Sequence, residues 1–125
     1  ILGGRGGPRA DHEMANLLLL AHPRLEEVDV RFLTATTEVR ALGPGNHELD
    51  VRPGGTISMV PVTETAREVS ITGVRWPLRQ QDLTLGSTYT VSNEATEPEI
   101  KVEIAGGTVL LFRDLVDDEG EQAAD

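Results

Sequence analysis

The stretch of residues 99–112, Glu-Ile-Lys-Val-Glu-Ile-Ala-Gly-Gly-Thr-Val-Leu-Leu-Phe, decides the fold of this chain. Its first six residues alternate charged and apolar side chains, a period of two that is typical of a strand with one buried face. The glycines Gly106-Gly107 favour turn geometry, and an apolar run follows them. The stretch therefore predicts two strands, Glu99–Ile104 and Thr108–Phe112, joined by a short turn.

The same pattern of short strands separated by turns extends back to about residue 26. Turn-forming segments at 43–46 and 53–55 separate apolar or alternating runs. Regular spacing of this kind predicts a mainly β fold, an antiparallel sandwich or barrel. The remaining predicted strands are Val28–Ala35, Glu38–Leu42, His47–Val51, Thr56–Val60, Glu68–Thr72 and Ser87–Ser92.

One short helix is predicted ahead of the strands, between Asp11, a good N-cap, and His22-Pro23, which stops it. Apolar residues fall at helical spacing and also at Leu19 and Leu20, so the helix is apolar on most sides. A helix of this kind needs packing partners all around. We therefore expect a neighbouring layer that is missing from this chain or comes from another subunit.

Charge and composition exclude several classes of protein. The chain has 125 residues, 11 basic and 21 acidic, for a net charge of −10, which argues against nucleic acid or an anionic membrane as partner. Six acidic residues and no basic residue lie in 114–125, which predicts an acidic flexible tail. With no cysteine, disulfides and thiolate chemistry are excluded and a cytoplasmic location is permitted. The longest apolar run, Leu17–Ala21, is too short to cross a bilayer.

A glycine-rich loop at 3–7 precedes the helix and is the most unusual stretch of the sequence. Glycines let backbone N–H groups approach a phosphate, and a helix N-terminus favours anions. The loop lacks the Gly-Lys-Ser/Thr of a Walker motif and the preceding strand of a dinucleotide fingerprint. A phosphate-binding loop and a merely flexible entry to the helix both remain open.

The single tryptophan, Trp76, has two interpretations. It is either an anchor of the hydrophobic core or a stacking wall for a planar heterocycle, with Ser92 and Asn93 as hydrogen-bonding neighbours. The two differ in whether the ring is buried among aliphatic side chains or faces a groove with Ser92. The three histidines form no pattern typical of metal ligands.

Three pieces of the chain together resemble the thiamine pyrophosphokinase (thiamine diphosphokinase) family, in the family's order. Arg9-Ala10-Asp11-His12 with the helix start is similar to its Gly-Gly-Arg-x-Asp-His loop, and residues 54–61 are similar to one of its strands. Residues 73–78, 85–87 and 91–94 resemble its Gly-x-x-Trp-x-Leu, Gly-Ser and Ser-Asn-Glu signature.

The resemblance implies ATP-dependent transfer of a pyrophosphoryl group to the hydroxyl of thiamine, with Mg²⁺, giving thiamine diphosphate and AMP. It implies an α/β catalytic domain followed by a thiamine-binding β-sandwich, in a homodimer whose site is shared between subunits. On that basis residues 1–25 are expected to be the end of the catalytic domain, 26–113 the sandwich and 114–125 the tail.

The resemblance also implies roles for particular residues. Asp11 matches the active-site aspartate, able to orient the thiamine hydroxyl or to help hold Mg²⁺, and Arg9 matches the loop arginine that meets a phosphate. Trp76 is expected to stack on the aminopyrimidine. The other predicted substrate contacts are Ser92, Asn93, Ser87 and His12.

Two departures from the family pattern limit these expectations. Pro8 stands where the family has a second glycine, and it offers no N–H to a phosphate. The family's upstream aspartates, which hold Mg²⁺ and contact ATP, have no counterpart in this chain. We therefore expect the chain to be inactive alone. The alternative is a non-catalytic module, either a thiamine- or pyrimidine-binding domain or a dimerisation β-domain.

Overall fold

A computed structural model describes residues 10–22, 31–86 and 90–115 of the chain. One helix is followed by nine strands. In chain order these are α1 (Ala10–Leu19), β1 (Arg31–Leu33), β2 (Thr37–Leu42), β3 (Gly45–Asp50), β4 (Thr56–Pro61), β5 (Thr65–Thr72), β6 (Leu78–Thr84), β7 (Asn93–Glu94), β8 (Glu99–Ile104) and β9 (Val109–Asp114).

The strands form two sheets in which every pair of neighbouring strands is antiparallel. The first has the order β1-β2-β9-β4-β7 and the second the order β3-β8-β5-β6. The two strands of the deciding stretch, β8 and β9, are not paired with each other, because each joins a different sheet. The mainly β, antiparallel sandwich predicted from the sequence is confirmed.

A hydrophobic core lies between the two sheets and draws on both. Ile100, Val102 and Ile104 of β8 are at most 4 % exposed and alternate with exposed charged residues, as predicted. Met59 of β4 and Leu111 of β9 belong to the same core cluster. Burial of this apolar set is the main force that holds the sheets together.

A second, smaller cluster lies on the other face of the five-stranded sheet, where α1 packs. Leu17 and Leu20 contact the group that contains Phe32, Val39 and Leu110. Strand β9 is therefore covered on both faces, which explains why Val109, Leu110 and Leu111 are all buried without alternation. The opposite side of α1 stays open, with the apolar residues Met14, Leu18 and Leu19 each more than 40 % exposed.

Two strand predictions need correction. β6 was not predicted, because its burial alternation is interrupted: four consecutive residues, 79–82, are exposed at the sheet edge. The predicted strand Ser87–Ser92 is wrong in its second half, where residues 90–92 form a turn. The pairing with β4 begins only at β7.

Other boundaries shift by a few residues. Asp11 lies inside the first turn of α1 rather than before it, so it is not the N-cap. β9 continues through Asp114, a residue predicted to belong to the tail, and Thr56 N–H donates to the Asp114 carboxylate at 3.0 Å. Residues 116–125, the rest of the predicted tail, lie outside the described residues, as does the glycine-rich loop.

In the described part of the chain, α1 is the one helix, and it is neither long nor apolar enough to cross a bilayer.

Candidate functional site

The cavity around Trp76 is the candidate site. Its volume is about 560 Å³, and two segments line it, residues 75–78 around the start of β6 and residues 90–93 around the start of β7. Three of the predicted substrate contacts, Trp76, Ser92 and Asn93, lie together in its wall. A space of this size with one aromatic ring and a few polar groups is typical of a small-molecule site.

Gly73 sets the course of the first segment as the chain leaves β5. Its φ is +87°, and a Cβ there would lie 2.5 Å from the carbonyl oxygen of Glu99 in β8. Only glycine fits both the left-handed backbone and this close approach. Gly73 then accepts a hydrogen bond from Thr96 N–H at 2.9 Å, and Val74 pairs with Ala95 in an isolated bridge. The two segments of the wall are thus joined through their backbones.

Asn93 joins the second segment of the wall to the backbone of Trp76 in the first. Its Oδ1 accepts the N–H of Trp76 at 3.1 Å and that of Glu94 at 2.9 Å, while its Nδ2 donates to Trp76 O at 2.9 Å. The residue is only 9 % exposed. Since Oδ1 already accepts two hydrogen bonds and one hydrogen of Nδ2 is used, Asn93 mainly holds the backbone that carries the ring.

The indole of Trp76 is 57 % exposed and belongs to neither core cluster. This exposure rules out the interpretation of Trp76 as a core anchor. Trp76 instead lines a cavity that Ser92 also lines. An exposed tryptophan in a concave site offers a large flat surface for a planar ligand.

The turn at 90–92 is attached to β4 by three hydrogen bonds. Thr90 Oγ1 donates to Met59 O at 2.6 Å, and Met59 N–H donates to Thr90 O at 3.1 Å. The N–H of Ser92 donates to Ser58 Oγ at 2.8 Å, and Ser92 takes a left-handed φ of 68°. The Ser92 side chain is exposed at the cavity, where its hydroxyl can donate to or accept from a ligand.

Arg75 lies beside the ring and pairs with Glu94, an arrangement that was not predicted from the sequence. The guanidinium carbon of Arg75 lies 5.0 Å from the centroid of the Trp76 ring, within cation–π range. Arg75 Nη1 is 3.5 Å from Glu94 Oε1, and both side chains are largely exposed. The alternation of residue types gives no signal for such a pair, although Glu94 belongs to the Ser-Asn-Glu motif.

The predicted catalytic residues are not in this cavity. Asp11 and His12 lie in the first turn of α1, are exposed, and are linked by a hydrogen bond from the His12 N–H to Asp11 Oδ1 at 2.9 Å. Neither lines the cavity. Arg9 and Ser87 lie outside the described residues. The structure therefore brings together Trp76, Ser92 and Asn93 and leaves Asp11 and His12 apart from the cavity wall.

Asp11 is the residue that the family resemblance offers as a possible contact of Mg²⁺. Among residues 10–22, 31–86 and 90–115, no three His, Asp or Glu side chains lie close enough together to hold a metal ion. Mg²⁺ takes oxygen ligands, and Asp11 supplies only one carboxylate. No step of the chemistry is therefore assigned to a metal held by these residues.

A second cluster of charges, also missed from the sequence, lies at Glu38 in β2. Its carboxylate is 2.7 Å from Arg113 Nε, 3.1 Å from Arg31 Nη1 and 3.4 Å from Arg40 Nε. The Glu38 side chain is 3 % exposed. Burial alone raises the pKa of this carboxyl, but the hydrogen bond from Arg113 and the three positive charges together hold it below the ordinary 4.5.

Comparison with known proteins agrees with this fold. The sequence model of the family described as "Thiamin pyrophosphokinase, vitamin B1 binding domain" matches residues 46–109, about half of the chain. The curated thiamine pyrophosphokinase of Bacillus subtilis is 30% identical over 114 residues, which are 90% of this chain and 53% of the relative. The chain thus spans about half the length of this relative.

Solved structures give the same result. The crystal structure of thiamine pyrophosphokinase from Bacillus subtilis superposes with a TM-score of 0.82 at 28% identity, over 90% of this chain and 53% of that one. The enzyme from Geobacillus thermodenitrificans, at 24% identity, gives a TM-score of 0.78 over 94% of this chain and 54% of that one and supports the fold alone. The chain therefore belongs to the thiamin pyrophosphokinase vitamin B1 binding domain family.

Proposed function

We propose that this chain supplies the thiamine-binding half of a thiamine diphosphokinase. The observation that carries the proposal is the exposed Trp76 in the wall of a cavity of about 560 Å³, beside Ser92. Thiamine has a flat aminopyrimidine ring that fits a stacking wall of this kind. The family match of residues 46–109 supports the same ligand.

In this proposal each cavity residue has one task. Trp76 stacks on the aminopyrimidine, Asn93 fixes the backbone of Trp76, and the Ser92 hydroxyl bonds a ring nitrogen or the amino group. The hydroxyethyl arm of thiamine is then left to reach the catalytic residues. A rigid wall lowers the entropy that the ligand loses when it binds in one orientation.

The whole reaction needs more than the described residues. Asp11 is proposed to orient the thiamine hydroxyl and Arg9 to bind a phosphate, in a site completed by a second subunit of a homodimer in the cytoplasm. Mg²⁺ bound with ATP would neutralise charge on the phosphates during the transfer. Since Asp11 and His12 do not line the cavity, the chain alone is proposed to bind thiamine without catalysing its pyrophosphorylation.

A non-catalytic binding module is the second candidate. The observation that favours it is that the cavity is lined by Trp76, Ser92 and Asn93, whereas Asp11 and His12 lie outside its wall. Both candidates share the thiamine cavity and differ in whether catalysis follows. Formation of AMP and thiamine diphosphate from ATP and thiamine, in an assay that joins this chain to the catalytic domain of a thiamine pyrophosphokinase, separates them: the first candidate predicts product and the second predicts none.

The binding proposal is tested by titration calorimetry with thiamine on the wild type, Trp76→Leu and a control, Leu85→Ala. Leu85 is as exposed as Trp76, at 59 %, but does not line the cavity. We expect Trp76→Leu to weaken binding about tenfold or more, since stacking of a heterocycle on an aromatic side chain contributes about 1–3 kcal/mol. Leu85→Ala is expected to bind as the wild type does.

Both variants should keep their stability within about 1 kcal/mol, because both side chains are exposed. A fully folded Trp76→Leu variant with unchanged affinity would contradict the stacking role. No heat of binding from the wild type at millimolar thiamine would contradict the proposal that this chain holds the pocket.

A further inference from the structure

The ring of Trp76 already has a cation beside it. The guanidinium of Arg75 lies 5.0 Å from the ring centroid and lines the same cavity as the ring. The face of an indole carries negative charge density, and a guanidinium over it satisfies that preference. A second cation entering the cavity must therefore compete with Arg75 for the ring and is repelled by it.

Glu94 is placed to cancel this repulsion. Its Oε1 lies 3.5 Å from Arg75 Nη1, so Arg75 contacts both the ring and a carboxylate. Backbone contacts keep the pair adjacent: Arg75 N–H donates to Glu94 O at 2.8 Å, and the Glu94 N–H is fixed by Asn93 Oδ1 at 2.9 Å. The backbone of Glu94 thus stays next to that of Arg75 wherever the long side chain of Arg75 moves.

We propose that Arg75 and Glu94 set the charge preference of the Trp76 cavity, and that Glu94 is the specificity-determining residue that admits a cationic ligand. This inference rests on the proposed function, because thiamine carries a permanently charged thiazolium. Arg75 favours neutral and anionic ligands on the ring, and Glu94 offsets that bias. Loss of Glu94 should therefore penalise a cation and leave an uncharged ring unaffected.

The first test uses no thiamine. Trp76 is the only tryptophan of the chain, so its fluorescence reports this site alone. Collisional quenching is measured with iodide, with caesium and with uncharged acrylamide, for the wild type, Glu94→Gln and Arg75→Gln. We expect the ratio of the iodide to the caesium quenching constant to rise about two- to fivefold in Glu94→Gln and to fall in Arg75→Gln, since exposed charges act over short distances.

Acrylamide quenching controls for changes in the exposure of the ring and should stay constant in all three proteins. An iodide-to-caesium ratio that is the same in the wild type and both variants would overturn the inference. Repeating the measurement at high salt should reduce the differences, because the interactions are between exposed charges.

The second test compares two ligands by calorimetry: thiamine, a cation, and its aminopyrimidine half, which is uncharged at neutral pH. Glu94→Gln should weaken thiamine binding about three- to tenfold and leave the aminopyrimidine within about twofold. Glu94→Asp, which keeps the charge, should restore most of the loss. In the Arg75→Gln background the effect of Glu94→Gln should be smaller, because the charge that Glu94 offsets is gone.

The outcomes separate the two proposals. If Glu94→Gln weakens both ligands equally and Glu94→Asp does not rescue, Glu94 is only structural and the inference is overturned, while thiamine binding stands. If the wild type binds neither ligand, the proposed function fails and the cationic-ligand role of Glu94 fails with it. An unchanged quenching ratio overturns the charge preference itself, whatever the ligands do.

Discussion

Two groups of arginine and glutamate in this molecule invite comparison, because the same residue types meet in opposite surroundings. Glu38 is almost fully buried at 3 % exposure and lies among three arginines, the closest at 2.7 Å. Glu94 is 44 % exposed and lies 3.5 Å from a single arginine, itself 62 % exposed. Water screens the second pair and hardly reaches the first carboxylate. The buried group is therefore expected to control folding, and the exposed pair to control what binds beside it.

The largest expected effect comes from the buried group. Glu38→Gln removes a negative charge that Arg31, Arg40 and Arg113 all contact. Arg40 Nε is itself buried and its contact with Glu38 is an ion pair without a hydrogen bond, so it depends on that charge. We expect a loss of about 3 to 5 kcal/mol in the free energy of unfolding, because a buried ion group loses one partner. Urea denaturation at pH 7 measures it.

The control is Glu103→Gln, an exposed glutamate of β8 whose loss should cost less than about 0.5 kcal/mol. The pH dependence gives a second check. Because the folded-state pKa of Glu38 lies below its ordinary 4.5, its contribution is present above that pH and is lost as the pH falls through the folded value. The difference in stability between wild type and Glu38→Gln should therefore shrink as the pH falls below about 4.5. A constant difference down to pH 3 would contradict the ionic origin.

A smaller loss of stability is expected for a substitution at Gly73. This substitution tests whether the backbone that carries Arg75 of the exposed pair is rigid. In Gly73→Ala the new Cβ meets Glu99 O and the backbone is strained at φ +87°. We expect a loss of about 2 to 4 kcal/mol from the strain and the clash together. Gly54→Ala is the matched control: its φ is also +87°, but nothing lies within 4 Å of the added Cβ, so about 1 kcal/mol is expected.

If Gly73→Ala and Gly54→Ala lose the same free energy of unfolding, the contact with Glu99 O contributes nothing and the backbone at residue 73 can adjust. If Gly73→Ala loses more, the backbone that carries Arg75 and Trp76 is fixed by β8. Circular dichroism with chemical denaturation decides between these outcomes.

The same contrast between buried and exposed residues explains what could be predicted from the sequence. β8 was predicted with its exact bounds because its inner residues meet the core and its outer ones meet water. β6 was missed because it lies at a sheet edge and four of its seven residues are exposed in a row. The turn at 90–92 has residue types that suit a strand, but Ser92 takes a left-handed φ and its N–H donates to Ser58 in β4, a contact that residue types do not predict.

For the candidate site, too, the sequence predicts which residues lie together but not the contacts between distant segments. Trp76, Ser92 and Asn93 could be grouped from their motif, and the structure places them around one cavity. The engagement of Asn93 with the backbone of Trp76 could not be predicted, since it depends on how residues 17 positions apart meet in space. Glu38 gave no signal either, because an isolated glutamate next to alternating residues usually faces solvent.

The smallest expected effect is at the exposed pair. Glu94→Gln should change the free energy of unfolding by less than about 0.5 kcal/mol, because an exposed ion pair at 3.5 Å is little more stable than the two separate side chains in water. Its backbone bonds to Arg75 and Asn93 remain in the variant. Measured beside Glu38→Gln under the same conditions, it tests the comparison directly. A loss of more than about 1.5 kcal/mol in the free energy of unfolding would mean that Glu94 stabilises the fold as Glu38 does. An effect of Glu94→Gln on ligand binding could then not be assigned to its charge alone.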